Sequence, residues 1–203
     1  MITGPKYKKA RRLGAFLFDK TMTQKFANSE ARRGKPKDAK HPKKTTDYGL
    51  QMLEKQKARF MYGINERQFS KYVREAMTQK EVKPQDALFA RLETRLDNAA
   101  YRLGLVPTRQ AARQLASHCH LMVNGQKQSV PSYQLSIGDK ITIRPKSLKS
   151  GVFATLDERL KTMTAPSWLK FDAAKKEAEV QGMPHADANV PFSLAQIIEF
   201  YSR

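Results

Sequence analysis

His118, Cys119 and His120 form the densest group of potential metal ligands in the chain. Three adjacent side chains do not readily wrap one tetrahedral ion, although His118 and His120 could share a strand face. Cys119 is the only cysteine, which excludes an internal disulfide or a cysteine-rich zinc site and points to a reducing compartment. The sequence contains neither a Gly-rich phosphate loop nor a nucleophile elbow. The chemistry within reach is that of guanidinium groups. Arg91, Arg95, Arg102, Arg109 and Arg113 fall at helical spacings in one short stretch. The planar fork of Arg suits phosphate oxygens better than the point charge of Lys. This is a chemistry of binding, so no enzyme activity, no cofactor and no metal are expected.

The charge balance points the same way. Lys and Arg total 38 against 19 for Asp and Glu, a net charge of +19. Such an excess repels itself in a folded chain and is relieved by a polyanion, either nucleic acid or an anionic membrane surface. No apolar run approaches the roughly 18–20 residues that would span a bilayer, and no membrane partner is expected. The first 18 residues are free of acid, as in a transit peptide, but are Lys-rich and lack Ser. Residues 1–44 hold 14 basic and 3 acidic side chains, and residues 91–150 hold 10 and 3. The last quarter is near neutral, so it is expected to pack on protein while the two basic blocks meet the polyanion. Arg11, Arg12, Lys43 and Lys44 are the arm's candidates for phosphate. A basic tail is as often merely solvated, and this one shows no sustained helical or strand period.

The elements that position these cations can be read from spacing. Asp47 can cap a helix over 47–62 that carries Leu50, Leu53, Phe60 and Met61, and Gly63 ends it. A second helix places Phe69, Tyr72, Val73, Ala76 and Met77 on one side. Lys55, Arg59 and Arg67 lie on these helices and are candidate contacts. Gln79 to Pro84 reads as a linker. From Leu92 a helix is expected to run to Gly104. On its wheel Leu92, Leu96, Ala99 and Leu103 form a stripe, Arg91, Arg95 and Arg102 one flank, and Glu93 and Asp97 the other. Thr108 caps the next helix, with Arg109 and Arg113 four apart on one face. Asn124-Gly125 marks a hairpin, and Lys140–Arg144 alternates as a strand. At the end, Ser193 with Gln196 and Phe192 with Ile197 have cap and staple spacings. The short helix they start must dock elsewhere to bury Leu194, Ile197, Ile198 and Tyr201, and the helices of 47–90 are the natural host.

The segments Arg95-Leu96-Asp97-Asn98, Arg102-Leu103-Gly104, Thr108 to Leu115, Ser117-His118, Val123-Asn124-Gly125, Pro131-Ser132-Tyr133 and Gly138-Asp139 closely resemble the RNA-binding module named after small-subunit ribosomal protein four. Gly4-Pro5-Lys6, Asp47 to Gln51, Tyr62-Gly63, Glu66 to Phe69, Trp168-Leu169 and Glu199 to Arg203 resemble further parts of that ribosomal protein family, in order along nearly the whole chain. The resemblance implies an α+β fold. A basic extended N-terminal arm (1–46) precedes a helical domain (47–90, completed by 155–203), and an RNA-binding domain of two helices and a small, mostly antiparallel sheet (91–154) is inserted in it. It also implies a primary binder of small-subunit rRNA that docks at a helical junction of the 5′ domain and nucleates assembly. In the mature particle it would sit beside ribosomal protein five of the small subunit, near mRNA where it enters, and affect decoding accuracy. Its place would be the cytoplasmic ribosome, or that of an organelle. His118 and Lys127 match or adjoin the module and join the candidate RNA contacts. Zinc-bearing relatives carry N-terminal cysteines where Tyr7, Ala10 and Phe26 stand here, so a zinc-free arm is expected. Residues 145–190 match less well.

Two other readings compete. Similar modules occur on pseudouridine synthases, and Arg95-Leu96-Asp97 resembles their catalytic tripeptide. That motif expects a hydroxyl residue soon after the Asp, whereas Asn98-Ala99-Ala100-Tyr101 follows here. Asp97 is expected to pair with a neighbouring cation instead. A stand-alone RNA-binding translational regulator is the other alternative.

Overall fold

The computed structural model describes residues 4–14, 17–32, 46–172, 175–186 and 190–202. In chain order the α-helices are α1 (Lys6–Leu13), α2 (Gln24–Ala31), α3 (Asp47–Tyr62), α4 (Glu66–Thr78), α5 (Pro84–Glu93), α6 (Leu96–Arg102), α7 (Arg109–Ser117), α8 (Leu156–Thr162) and α9 (Leu194–Tyr201). The strands are β1 (Leu121–Val123), β2 (Gln126–Gln128), β3 (Lys140–Ile143), β4 (Leu169–Asp172) and β5 (Glu177–Val180). The chain divides into two compact units, one from Met1–Lys80 with Asp187–Arg203 and one from Glu81–Ala186.

The first unit is helical. Thr46, rather than Asp47, caps α3, its Oγ1 accepting from Gly49 N at 3.2 Å, and Gly63 ends the helix at φ 65°. Asn65 caps α4 through its side chain. The apolar face of α4 buries Phe69, Val73 and Ala76 completely. Helix α9 packs on α3 and α4. Ser193 Oγ accepts from Gln196 N, and Ile197 has no exposed surface. The C-terminal stripe therefore finds the host that its shortness demanded. The N-terminal arm was expected to be extended, and its described residues instead form α1 and α2. Their buried positions are few, Ala10 and Leu13 on α1 and Phe26 on α2, with Leu17 buried between the two helices in sequence, and the Tyr7 and Phe26 rings stand 4.9 Å apart. Tyr7 and Phe26 thus make an apolar contact between α1 and α2.

The second unit packs helices on a five-stranded antiparallel sheet of order β2-β1-β3-β5-β4. Asn124 and Gly125 both take positive φ, 51° and 78°, as a two-residue hairpin turn requires. Leu121, Val123, Ile141 and Ile143 point inward against Leu96, Ala99, Leu103, Ala112 and Leu115. Strands β4 and β5 correct the expected domain limits. Residues 155–186 do not complete the helical unit, because Ala178 and Glu179 continue the sheet beside Ile141 and Lys140. Trp168, Leu169 and Val180 join the core of this unit.

The helix expected from Leu92 to Gly104 is also corrected. It breaks at Thr94-Arg95, between α5 and α6. The segment from Pro131 to Leu135 runs along the break and supplies its hydrogen bonds. Leu96 N donates to Tyr133 O (2.9 Å), Asp97 N to Pro131 O (3.1 Å), and Leu135 N to Thr94 O (2.9 Å). Backbone groups freed by ending a helix are costly unless paired, and here a distant loop pairs them.

Candidate nucleic-acid interface

The break in the helix turns Arg95 inward. Its side chain is 1% exposed, so it does not belong to a solvent-facing cationic flank. It donates through Nε to Asp97 Oδ1 (2.9 Å) and through Nη2 to Oδ2 (2.7 Å). Arg113, on α7, donates to the same Asp97 Oδ2 from Nε (3.1 Å) and Nη2 (2.9 Å). Asp97 therefore pairs with cations, and no open acid remains on that flank. One turn away, Glu93 is likewise buried. It accepts two bonds from Arg102, at 2.8 and 2.9 Å, and one from Asn98 Nδ2 at 3.0 Å. Asn98 Oδ1 accepts from Arg109 Nε at 2.9 Å, and the Arg109 guanidinium lies 4.3 Å from the centre of the Tyr101 ring.

Two buried carboxylates, Glu93 and Asp97, and the Asn98 amide thus orient Arg102, Arg113 and Arg109 along the edge of α6 and α7. Arg102 and Arg113 keep 33% and 20% of their side chains exposed. A guanidinium whose plane is already fixed loses less freedom when it meets phosphate. Arg91 lies on α5, half-buried, with its carbonyl accepting from Gln134 Nε2. His118, which ends α7, and Lys127, on β2, are exposed.

In the first unit the candidates diverge. Lys55 is buried. Its Nζ donates to Glu66 (2.9 Å) and sits 4.3 Å from the centre of the Phe200 ring. Arg59 donates to Glu66 Oε2 at 2.5 Å, and Tyr201 Oη donates to Glu66 Oε1 at 2.7 Å. Lys55 is corrected to a structural role, because three donors, two from α3 and one from α9, meet on one carboxylate of α4. Arg67 is exposed on α4 and lines a shallow groove with Gln68, Lys71 and Arg74. Lys71 and Arg74 lie three apart on that helix. They follow Arg67 at helical spacing and are likewise exposed. Arg11 is held by Glu30 and Ser29, whereas Arg12 is exposed. Lys43 and Lys44 lie outside the described residues. Among the described residues no cluster of His, Cys, Asp and Glu is arranged to hold a metal, and no helix is long and apolar enough to cross a membrane.

The Glu66 hub gives the first unit a pH signature. Burial pushes the Glu66 carboxyl up, but hydrogen bonds from Lys55, Tyr201 and Arg59 outweigh it and hold the group below its ordinary value. Burial, then the bond to Glu66, pushes the Tyr201 phenol well above its usual range. A lowered carboxyl stabilises the fold above the unfolded value, about 4.3, and that contribution is lost as pH falls through the folded value. A raised phenol acts at the other end, since above about pH 10 the unfolded chain releases a proton that the folded chain keeps. Melting of this unit is therefore expected to weaken at both extremes. Tyr201→Phe should flatten the alkaline decline, and an unaltered alkaline limb in thermal melts would count against the hub.

A family model described as "Ribosomal protein S4/S9 N-terminal domain" matches residues 1–93, and the S4 domain model matches residues 94–141. The chain belongs to the ribosomal protein S4 family. It is 41% identical to the small ribosomal subunit protein uS4 of Roseiflexus sp. (strain RS-1), over 98% of both chains. The uS4 of Corynebacterium kroppenstedtii is 43% identical, over 99% of this chain and 98% of its own. The uS4A of Clostridium botulinum is 40% identical over the same shares. The S4 domain match covers α6, α7 and the first strands, so the arginine edge lies inside the part that defines this RNA-binding family. The boundary between the two matches, at 93/94, falls at the break before α6 rather than at the boundary between the structural units.

Proposed function

We propose that this chain is a structural, non-catalytic protein of the small ribosomal subunit that binds small-subunit rRNA. It docks early at a helical junction of the 5′ domain and nucleates assembly of the subunit body. In the mature particle it lies beside ribosomal protein five, near mRNA where it enters, and contributes to decoding accuracy. The observation that carries the reading is the edge of α6 and α7, where Arg102, Arg109 and Arg113 are oriented by Glu93, Asn98 and Asp97. Arg12, Arg67, Arg91, His118 and Lys127 are the further contacts on exposed or half-exposed surface, with Lys43 and Lys44 in the arm. Affinity comes chiefly from counterion release. Specificity comes from the shape of the junction, since A-form grooves hide base edges from side chains.

The test is binding of the purified protein to the 5′ domain of small-subunit rRNA across a salt series, with excess tRNA as competitor. Tight binding that survives the competitor is expected. If six or more phosphates are contacted, affinity should fall by roughly a thousandfold between 50 and 200 mM salt. Weak binding abolished by tRNA would leave a generic basic RNA binder and remove the assembly role.

A further inference from the structure

The interior of the α6–α7 edge holds a buried amide. Asn98 is 2% exposed and faces opposite chemistries on its two sides. Its Nδ2 donates to the Glu93 carbonyl (3.1 Å) and to Glu93 Oε2 (3.0 Å), while its Oδ1 accepts from Arg109 Nε (2.9 Å). A guanidinium can only donate and a carboxylate can only accept, so the amide orientation is fixed by its partners. Asp in its place could not donate to Glu93, and an apolar residue could do neither. Tyr101 stands three residues on, on the same face of α6, and its ring backs the Arg109 guanidinium. Arg109 opens α7 and is half-buried.

We infer that Asn98 and Tyr101 are positioning residues that hold Arg109 in one orientation for a phosphate of the RNA, touching no RNA themselves. The amide sets where Nε points and the ring sets the plane, so Arg109 meets phosphate without first giving up its rotamer freedom. This rests on the reading of the α6–α7 edge as an RNA-binding surface.

The experiment is a pair of double-mutant cycles on the full chain, with binding to 5′-domain rRNA measured across salt. Arg109→Ala is expected to weaken binding roughly tenfold and to reduce the salt slope by about one contact. Asn98→Ala and Tyr101→Leu should each reproduce a large part of that loss. Each double variant with Arg109→Ala should bind no more weakly than Arg109→Ala alone, because a residue that acts through Arg109 has nothing left to orient. Should Asn98→Ala fail to fold, the Tyr101→Leu cycle decides the question, since that side chain is only partly buried. Additive losses, or unchanged binding by the Asn98 and Tyr101 variants while Arg109→Ala binds weakly, would overturn the positioning role and leave the RNA-binding edge standing. An Arg109→Ala protein that binds as tightly as the parent would overturn both.

Discussion

Replacing Asp97 with Ala is expected to cost the second unit about 3–5 kcal/mol of stability. The carboxylate is 5% exposed and receives donors from both Arg95 and Arg113. The two arginines differ in what they can do once it is gone. Arg113 keeps a fifth of its side chain in solvent and can turn outward. Arg95 is 1% exposed and cannot, so its charge stays inside without the carboxylate that faces it. The loss therefore comes mainly from Arg95, and Arg113→Ala should cost far less, on the order of 1 kcal/mol. Replacing Arg95 and Asp97 together with apolar residues of similar volume should recover much of the stability, since a well-packed apolar pair often matches a buried ion pair. Trp168 is the only tryptophan, is 7% exposed and belongs to this core, so its emission reports unfolding of this unit. Urea unfolding followed at Trp168 that shifts by less than about 1 kcal/mol for Asp97→Ala would show that the pair is not structural.

This pair also shows where sequence reasoning stopped. The residues that make it were legible: five arginines at helical spacing, two acids set apart from them, and an Asp expected to find a cation. Their direction was not, because the wheel assumed one continuous helix from Leu92. The break at Thr94-Arg95 depends on hydrogen bonds from residues 131–135, some forty positions away. Nothing local marks it, since Thr94 and Arg95 are tolerable inside a helix. A rotation there moved Arg95 from the flank to the interior and left Arg102, Arg109 and Arg113 as the exposed edge.

Local signals fared better wherever the answer was itself local. The Asn124-Gly125 turn, the Thr108 cap and the Gly63 stop follow from backbone angles and side-chain oxygens that need no distant partner. Strands β4 and β5 needed one. Glu177-Ala178-Glu179-Val180 alternates in burial as a strand should, yet four residues specify a strand only when a neighbour offers its edge, here β3. The burial of Lys55 is hidden from the local sequence for a related reason. A lysine on a helix usually snorkels to solvent, and only the return of α9 covers it with Phe200 and Tyr201.

That return is the basis of the second large effect. Deletion of residues 190–203 is expected to unfold α3 and α4 under conditions where the full chain is folded. The deletion removes the buried Phe192, Leu194 and Ile197 together, where a single large-to-small change in a core costs about 2–5 kcal/mol. It uncovers Phe69 and Tyr62, which the terminal segment covers with Tyr201 and Phe192. It also takes away two bonds that tie the ends of the chain together, Ser193 N to Glu54 Oε2 and Tyr201 Oη to Glu66 Oε1, both 2.7 Å. Helices of 16 and 13 residues have little stability in water without such packing. Ile197→Asp should act in the same direction with the chain at full length, by placing a charge at a position with no exposed surface. Amide exchange in α3 and α4 reads the effect directly. Loss of protection there would mean that the helical unit is assembled from both ends of the chain and cannot form until the last helix is made. Protection that persists would mean that α3 and α4 hold each other, and that α9 covers a fold already complete.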